Sequence, residues 1–407
     1  MKCGLLGRKL GHSYSPQIHA LMDDYSYELF EKEPEEVGEF VRNGDYDAMN
    51  VTIPYKKDVI PYLDEIDDIA RRLGSVNTIV RRPDGRLEGH NTDYYGFLSL
   101  IEHSGIQVYG RKVLVLGTGG TSVTAQAVLA DLGAQVVVIS RSGENNYGNL
   151  EQHYDAQVIV NTTPVGMYPN TGAAPLDIRL FPQLRGVLDV IYNPSRTQLL
   201  LDADEQWIDC DNGLWMLVAQ AKLASEFFTG KKLSTGIIAS IHRKLENQMM
   251  NLVLIGMPGC GKSTVGKLLA ERTGKTFVDA DEEIVKLAGK SIPEIFADEG
   301  EEAFRAYETQ VLGELGKRSG LVIATGGGCV TRDRNFPLLH QNSNIVWLRR
   351  DTALLPTEGR PLSQSQKLAD MYRVRQPLYE AFSDFSVDNS GTPQDCAEAI
   401  LSALEGA

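Results

Sequence analysis

The chain has 407 residues, 42% of them apolar and 23% charged, with a formal net charge of -14. That length exceeds one ordinary core and predicts two or three domains of a globular protein. The acidic balance, spread over both halves, excludes nucleic acid or an acidic membrane as the main partner, while local Lys and Arg still suit small anions.

The five cysteines (Cys3, Cys210, Cys260, Cys329, Cys396) lack metal-ligand spacing and fit packing positions in a reducing compartment. With no leader segment and no long apolar span, the expectation is a cytoplasmic protein without a membrane partner. Nothing in the sequence sets the oligomeric state.

Residues 2–6 predict a strand. Ser13-Tyr14-Ser15-Pro16 then opens a helix whose Ile18, Leu21 and Met22 share one face, with Ser15 as N-cap and Pro16 in the first turn. Two hydroxyls at a helix start also suit a carboxylate, and capping accounts for Ser15 but not for Ser13. Residues 49–53 predict a β-branched strand stopped by Pro54, which places Thr52 and Lys56 at the strand's end, where α/β sites are built. Asn77 and Asp93 follow in polar turns, Asp93 at the start of a helix running to about residue 103. A carboxylate there caps the helix. Paired with Lys56 beside a carbonyl, it could instead serve the proton transfer that accompanies hydride transfer. Spacing does not choose between these.

Residues 113–116 predict a buried strand, followed by Gly117-Thr118-Gly119-Gly120-Thr121-Ser122 and a helix over 123–132. This approximates the dinucleotide fingerprint, with Ser122 at the third glycine position. The next strand, 136–139, ends in Ser140-Arg141-Ser142. An NAD site carries Asp or Glu at that tip, whereas Arg141 suits the 2′-phosphate of NADP. Strands over 158–160 and 187–191 belong to the same sheet. Gly213 precedes a long helix, 214–228, on which Gln220 is either a core amide or a reach to a substrate hydroxyl.

Together these motifs make residues 1 to about 246 resemble the shikimate dehydrogenases. The resemblance rests on Ser13-x-Ser15-Pro16, Asn50-Val51-Thr52-Ile53-Pro54-x-Lys56, Val76-Asn77-Thr78, Asn91-Thr92-Asp93, the glycine turn, and Gly213-x-x-Met216-Leu217-Val218-Ala219-Gln220. It implies that Lys56 is the acid/base group with Asp93 oriented beside it. It also implies that Ser13, Ser15, Thr52, Asn77, Tyr192 and Gln220 hold the carboxylate and hydroxyls of shikimate. Gly117, Thr118, Gly119, Gly120, Thr121, Ser140, Arg141, Val190 and Gly213 would line NADP. Asn145 stands near the place where that family often has a second basic residue.

A second nucleotide motif lies in Gly256-Met257-Pro258-Gly259-Cys260-Gly261-Lys262-Ser263-Thr264, between a strand over 252–255 and a helix ending before Gly274. This order is a phosphate-binding loop. Its backbone N–H groups curl around phosphate oxygens, Lys262 adds a charge, and the Ser263 hydroxyl suits Mg²⁺. Asp279-Ala280-Asp281 reads as a strand tip with both acids on one side, one to organise Mg²⁺ and one to orient a hydroxyl. Arg305 shares a helix with Glu301 and Glu308, so an intrahelical ion pair competes with a ligand role. Gly326-Gly327-Gly328 permits close backbone approach to a ligand or makes a plain turn. Arg360-Pro361-Leu362 sits in a polar segment suited to a lid, and Arg375 heads a further helix.

Residues from about 250 to 405 resemble the shikimate kinases. The carriers are the phosphate loop, Asp279-x-Asp281, Phe304-Arg305-x-x-Glu308, the triple glycine, Arg360-Pro361-Leu362 and Arg375-x-Pro377-Leu378-Tyr379. The resemblance implies that Asp281 positions the acceptor hydroxyl, Arg305 and Arg375 clamp the carboxylate, and Gly327 backs the ring. Gly259, Cys260, Gly261, Lys262, Ser263, Thr264 and Arg360 would surround ATP, with Ser263 and Asp279 at Mg²⁺.

The expected fold is therefore α/β. A substrate-binding domain over 1–100, completed by helices over 214–246, meets a Rossmann-like NADP domain over 101–213. A P-loop kinase domain with a parallel sheet covers 250–407. The two resemblances imply one chain that reduces 3-dehydroshikimate with NADPH and phosphorylates shikimate with ATP. The alternatives are a quinate-using dehydrogenase fused to the kinase, and a chain in which one half binds ligand without catalysis.

Overall fold

A computed structural model describes residues 1–11, 13–355 and 365–406, which leaves Arg360 outside the described residues. The chain forms two compact units. One comprises Met1–Met167, Ala173–Tyr192 and Leu199–Leu245, the other Tyr168–Gly172, Asn193–Gln198 and Glu246–Ala407.

The first unit holds two sheets. Strands β1 (Lys2–Gly7), β2 (Ser26–Glu31), β3 (Ala48–Val51), β4 (Glu65–Ile66), β5 (Thr78–Arg81) and β6 (Leu87–His90) form a mixed sheet in the order β2-β1-β3-β5-β6-β4. Parallel partners need a crossover, and β1 lies parallel to both β2 and β3, with the helix Val37–Asn43 between β2 and β3 in the chain. Strands β7 (Lys112–Leu116), β8 (Gln135–Ile139), β9 (Val158–Asn161), β10 (Gly186–Asp189) and β11 (Asp209–Asp211) form a parallel sheet in the order β11-β10-β9-β7-β8. Val113 to Leu116 are fully buried, as the unbroken apolar run of a sheet covered on both faces requires. The strand order reverses at β7, and the glycine turn leaves its C-terminal end there.

Helix Asp93–Ser104 packs against helix Leu214–Thr229 at close range. A side chain at Gly96 would meet Met216 O at 2.8 Å, and Trp215 Nε1 donates to Ser99 Oγ (2.9 Å). This contact brings Asp93 and Gln220 to the same region.

The second unit carries β12 (Asn251–Ile255), β13 (Thr276–Asp279), β14 (Leu321–Ala324), β15 (Ser343–Arg349) and β16 (Phe385–Asp388), all parallel, in the order β13-β14-β12-β15-β16. The phosphate loop follows the central strand β12 and leads into helix Lys262–Thr273. No helix among the described residues is long and apolar enough to cross a membrane.

Three local expectations are corrected. Ser15 is the first helical residue rather than the cap. Tyr14 holds the cap position without a side-chain capping bond to the helix, and Ser13 Oγ instead accepts from Ser15 N (3.2 Å). Asp281 does not extend β13. Asp279 caps the helix Ala280–Ala288 by accepting from Asp281 N (3.1 Å), so the strand stops and Asp281 turns into the first helical turn. Arg375 does not begin a helix but lies within Ser365–Phe382, which continues through Pro377. Leu368, Met371, Tyr372, Leu378 and Tyr379 hold it against the core, and that packing outweighs the lost backbone bond.

Candidate active sites

In the first unit, the end of β3, the loop after β1, helix Asp93–Ser104 and helix Leu214–Thr229 surround a cleft of about 480 Å³. Ser13, Ser15, Thr52, Lys56, Asn77, Asp93, Tyr192 and Gln220 all line it, although they come from distant parts of the chain. Lys56 Nζ donates to Asp93 Oδ2 at 2.6 Å, with both side chains mostly shielded from solvent. The ammonium and carboxylate thus meet inside the cleft, where a helix cap alone would not require a lysine.

Thr92 orients two of the amides. Asn77 Nδ2 donates to Thr92 Oγ1 (3.0 Å), Thr92 N donates to Asn77 Oδ1 (2.7 Å), and Thr92 Oγ1 donates to Gln220 Oε1 (3.3 Å). Asn77 and Gln220 are therefore fixed by one buried hydroxyl.

Thr121, Val190 and Gly213 reach the same cleft from the parallel-sheet side. A side chain at Gly213 would meet Val190 O at 2.0 Å, so glycine is required by close approach. In the glycine turn, Gly117 has φ +107°, and a side chain at Gly119 or Gly120 would project into open space. That bare backbone is the cradle a pyrophosphate needs. Ser122 fits the third glycine position because it is small and its Oγ donates back to Gly117 O (2.7 Å). At the tip of β8, Ser140 Oγ accepts from Gly143 N (2.8 Å) and Arg141 is exposed. Asn145 Oδ1 is engaged by His153 Nε2 (2.9 Å), so Arg141 is the basic side chain presented at this tip.

In the second unit, Gly256, Gly259 and Gly261 take φ of +141°, +82° and +102°, the curl that turns successive N–H groups inward. The buried Lys262 Nζ donates to Gly256 O (2.9 Å) and Met257 O (3.0 Å), with Cys260 buried beneath it. Ser263 Oγ donates to Asp279 Oδ2 (2.8 Å). Two hard oxygens at a phosphate loop fit Mg²⁺, which draws its remaining ligands from phosphate and water. Among the described residues no group of three or more His, Cys, Asp or Glu gathers to hold a metal ion. Thr264 is exposed on the outer side of the helix start, beside Lys267 and Pro393.

The triple glycine admits protein groups to its backbone. A side chain at Gly326 would meet Asp281 Oδ1 and Glu308 Oε1 at 2.9 Å each, one at Gly327 would strike Pro258, and one at Gly328 would lie 2.3 Å from Arg305 Nη2. Arg375 Nη1 (2.9 Å) and Tyr379 OH (2.5 Å) donate to Gly327 O. Arg305 and Arg375 therefore lie against consecutive residues of one turn. Arg305 also makes the intrahelical pairs, to Glu308 Oε2 (2.7 Å) and Glu301 Oε1 (3.3 Å). Burial raises the Glu308 pKa above its usual range, and the Arg305 guanidinium offsets only part of that rise.

Residues 5–79 match the family model "Shikimate dehydrogenase substrate binding domain". A shikimate dehydrogenase (NADP(+)) of Clostridium perfringens is 35% identical over 265 residues, spanning 60% of this chain and 97% of that protein. The chain belongs to the shikimate dehydrogenase family. A crystal structure of shikimate dehydrogenase 1 from Peptoclostridium difficile is 35% identical with a TM-score of 0.55, covering 60% of this chain and 98% of the other. That of shikimate 5-dehydrogenase from Thermus thermophilus, in complex with NADP(H) and shikimate, is 30% identical with a TM-score of 0.54, covering 60% and 99%. Residues 258–405 match the family model "Shikimate kinase", which gives the chain a C-terminal shikimate kinase domain.

Sequence reasoning passed over several residues that shape these sites. In the dehydrogenase cleft, Thr92 stands one residue before Asp93 in the Asn91-Thr92-Asp93 motif, and that position is its only sequence signal. Lys9 and Leu10 also line the cleft, with no motif to mark them. In the kinase domain, Asn389 Nδ2 donates to Cys260 O (2.6 Å) and lies so close to Gly261 that a side chain there would meet it at 2.4 Å. A polar residue just after a strand of the same sheet was its only trace.

His19 underlies the dehydrogenase cleft. It is buried, stacks on Tyr27 (4.1 Å between ring centres), and places Nδ1 2.6 Å from Tyr25 OH, while Tyr27 OH donates to Asn50 Oδ1 (2.7 Å). Burial pulls its pKa down to about 3. The unfolded chain takes up a proton at His19 below about pH 6.5 that the folded chain refuses, so stability present above that pH is lost as pH falls towards 3. At pH 5 the loss from this group amounts to about 2 kcal/mol. Thermal melts at pH 7 and pH 5 should show a His19→Asn variant losing less between the two than the unaltered protein does.

Proposed function

We propose that the chain catalyses two consecutive steps: NADPH-dependent reduction of 3-dehydroshikimate to shikimate, and ATP-dependent phosphorylation of shikimate to shikimate 3-phosphate. The observation that carries the first step is the Lys56–Asp93 pair at 2.6 Å inside a cleft walled by Ser13, Ser15, Thr52, Asn77, Tyr192 and Gln220. NADP, the cofactor in the Clostridium perfringens protein's name, suits the bare glycine turn and the Arg141 tip.

Bound NADPH supplies the hydride. Lys56 gives its proton to the carbonyl oxygen as that oxygen becomes an alkoxide, and Asp93 holds the ammonium aimed at it. Ser13 and Ser15 take the substrate carboxylate, and Thr52, Asn77, Tyr192 and Gln220 its hydroxyls. Thr92 keeps the two amides from turning away.

For the second step, Asp281 orients the acceptor hydroxyl, and Arg305 and Arg375 hold the carboxylate over the Gly326–Gly328 turn. Lys262 and the loop N–H groups neutralise the phosphates, while Ser263 and Asp279 hold Mg²⁺. Phosphoryl transfer needs mostly such positioning and charge neutralisation.

The test is a coupled assay on the full chain with 3-dehydroshikimate, NADPH and Mg-ATP, read by NADPH absorbance and by shikimate 3-phosphate. Both signals are expected. NADPH consumption without phosphorylated product would reduce the kinase domain to a binding module, and faster NADP-linked oxidation of quinate than of shikimate would move the first step to quinate.

A further inference from the structure

A cavity of about 550 Å³ lies at the far edge of the parallel sheet from the glycine turn. Its walls include Arg111, Gln157, Arg185 and Asp209, the residues at which the chain enters β7, β9, β10 and β11. The dinucleotide turn leaves the opposite, C-terminal edge of the same strands, so this cavity is separate from the dehydrogenase cleft.

Charge in the cavity is one-sided. Three arginines line it against a single acid, Asp209. Arg179 is held by Asp177 two residues earlier (2.8 Å). Arg111 and Arg185 have no carboxylate partner among the described residues. In a protein of net charge -14, two uncompensated guanidinium groups sharing one small cavity are a ready anion site.

Trp207 supplies the second, independent observation. The helix Gln198–Glu205 closes with Trp207 N donating to Asp204 O (3.0 Å) and Ile208 N to Ala203 O (3.0 Å). This closure places one residue in the left-handed region and normally uses glycine. Trp207 occupies that position with φ +57°, the one non-glycine residue with positive φ among the described residues. Its side chain is 95% exposed, so no packing compensates the backbone. Folding disfavours tryptophan here on both counts, yet Trp207 is one of the residues lining the cavity. Outliers of this kind point to ligand sites.

We propose that this cavity binds a small planar aromatic anion, its ring against the Trp207 indole and its charged group held by Arg111 and Arg185. The volume suits a single small molecule, and the polar lining with Gln107, Gln157 and Gln206 matches a charged one. Binding here leaves the dehydrogenase cleft open, because that cleft lies at the other edge of the sheet.

The test titrates the full chain with 4-hydroxybenzoate, followed by tryptophan fluorescence and calorimetry, with cyclohexanecarboxylate and inorganic phosphate as comparison probes. Saturable binding of the aromatic acid is expected, with both comparison probes weaker by about tenfold or more. Trp207→Gly suits the backbone, so its melting temperature should hold or rise while affinity falls about tenfold. The double variant Arg111→Ala, Arg185→Ala should lose at least as much affinity. The KM for NADPH should not change in either variant. Absence of saturable binding, equal affinity for either comparison probe, or undiminished affinity in either variant would overturn the proposal.

Discussion

Replacing Lys56 with alanine is expected to slow reduction of 3-dehydroshikimate by about 10²–10⁴-fold, the usual contribution of a positioned proton donor. That range corresponds to about 3–5 kcal/mol of barrier. The loss should fall on kcat more than on KM, because the proton is needed as negative charge develops on the carbonyl oxygen rather than for binding. Phosphorylation of shikimate by the same variant should be unchanged, since Lys56 belongs to the first unit and the phosphate loop to the second. Asp93→Asn should lower kcat less, because an amide still accepts a bond from the ammonium while aiming it less strongly. The informative contrary result is a Lys56→Ala enzyme that reduces its substrate at nearly the original rate. The 2.6 Å pair would then be an ion pair at a helix start and nothing more.

Lys262→Ala is expected to remove phosphorylation by about 10²–10³-fold, the scale on which a single preorganised charge acts at a developing anion. Its ammonium is buried and bonded to Gly256 O and Met257 O, so it sits in the loop ready for phosphate without needing to be recruited from solvent. The same bonds brace the loop. A nucleotide-binding measurement therefore belongs beside the rate, and the loss should appear in both ATP affinity and turnover. Reduction of 3-dehydroshikimate should proceed normally. If Lys262→Ala silenced both reactions while the chain remained folded, two independently complete sites would be the wrong description.

Much of the architecture was readable because strands buried on both faces leave unbroken apolar runs, as at Val113 to Leu116 and Leu252 to Ile255, and both are followed by glycine turns. The family motifs named the candidate residues of both sites, but not how they meet. Lys56 and Asp93 lie 37 residues apart, and only the packing of two helices and the end of β3 joins them. The errors arose where one local cue had two outcomes. Asp279 and Asp281 alternate as strand residues do, yet the first is a helix cap, and capping moves the second onto a helix beside Gly326. Arg375, expected to head a helix, lies inside one that runs on through Pro377, held there by the apolar residues around it. Thr92 and Asn389 could not be found in advance because their importance lies in which atom each holds still, a property of the folded chain alone.

The dehydrogenase cleft is lined by residues of its own unit, and the candidate kinase residues among the described ones, Lys262, Asp281, Arg305 and Arg375, all belong to the other. One translated message thus delivers the two catalysts in a fixed one-to-one ratio. A cell using this chain has no separate dial for either: doubling its synthesis doubles the capacity for both steps, and any imbalance in flux must be corrected through turnover numbers rather than through expression.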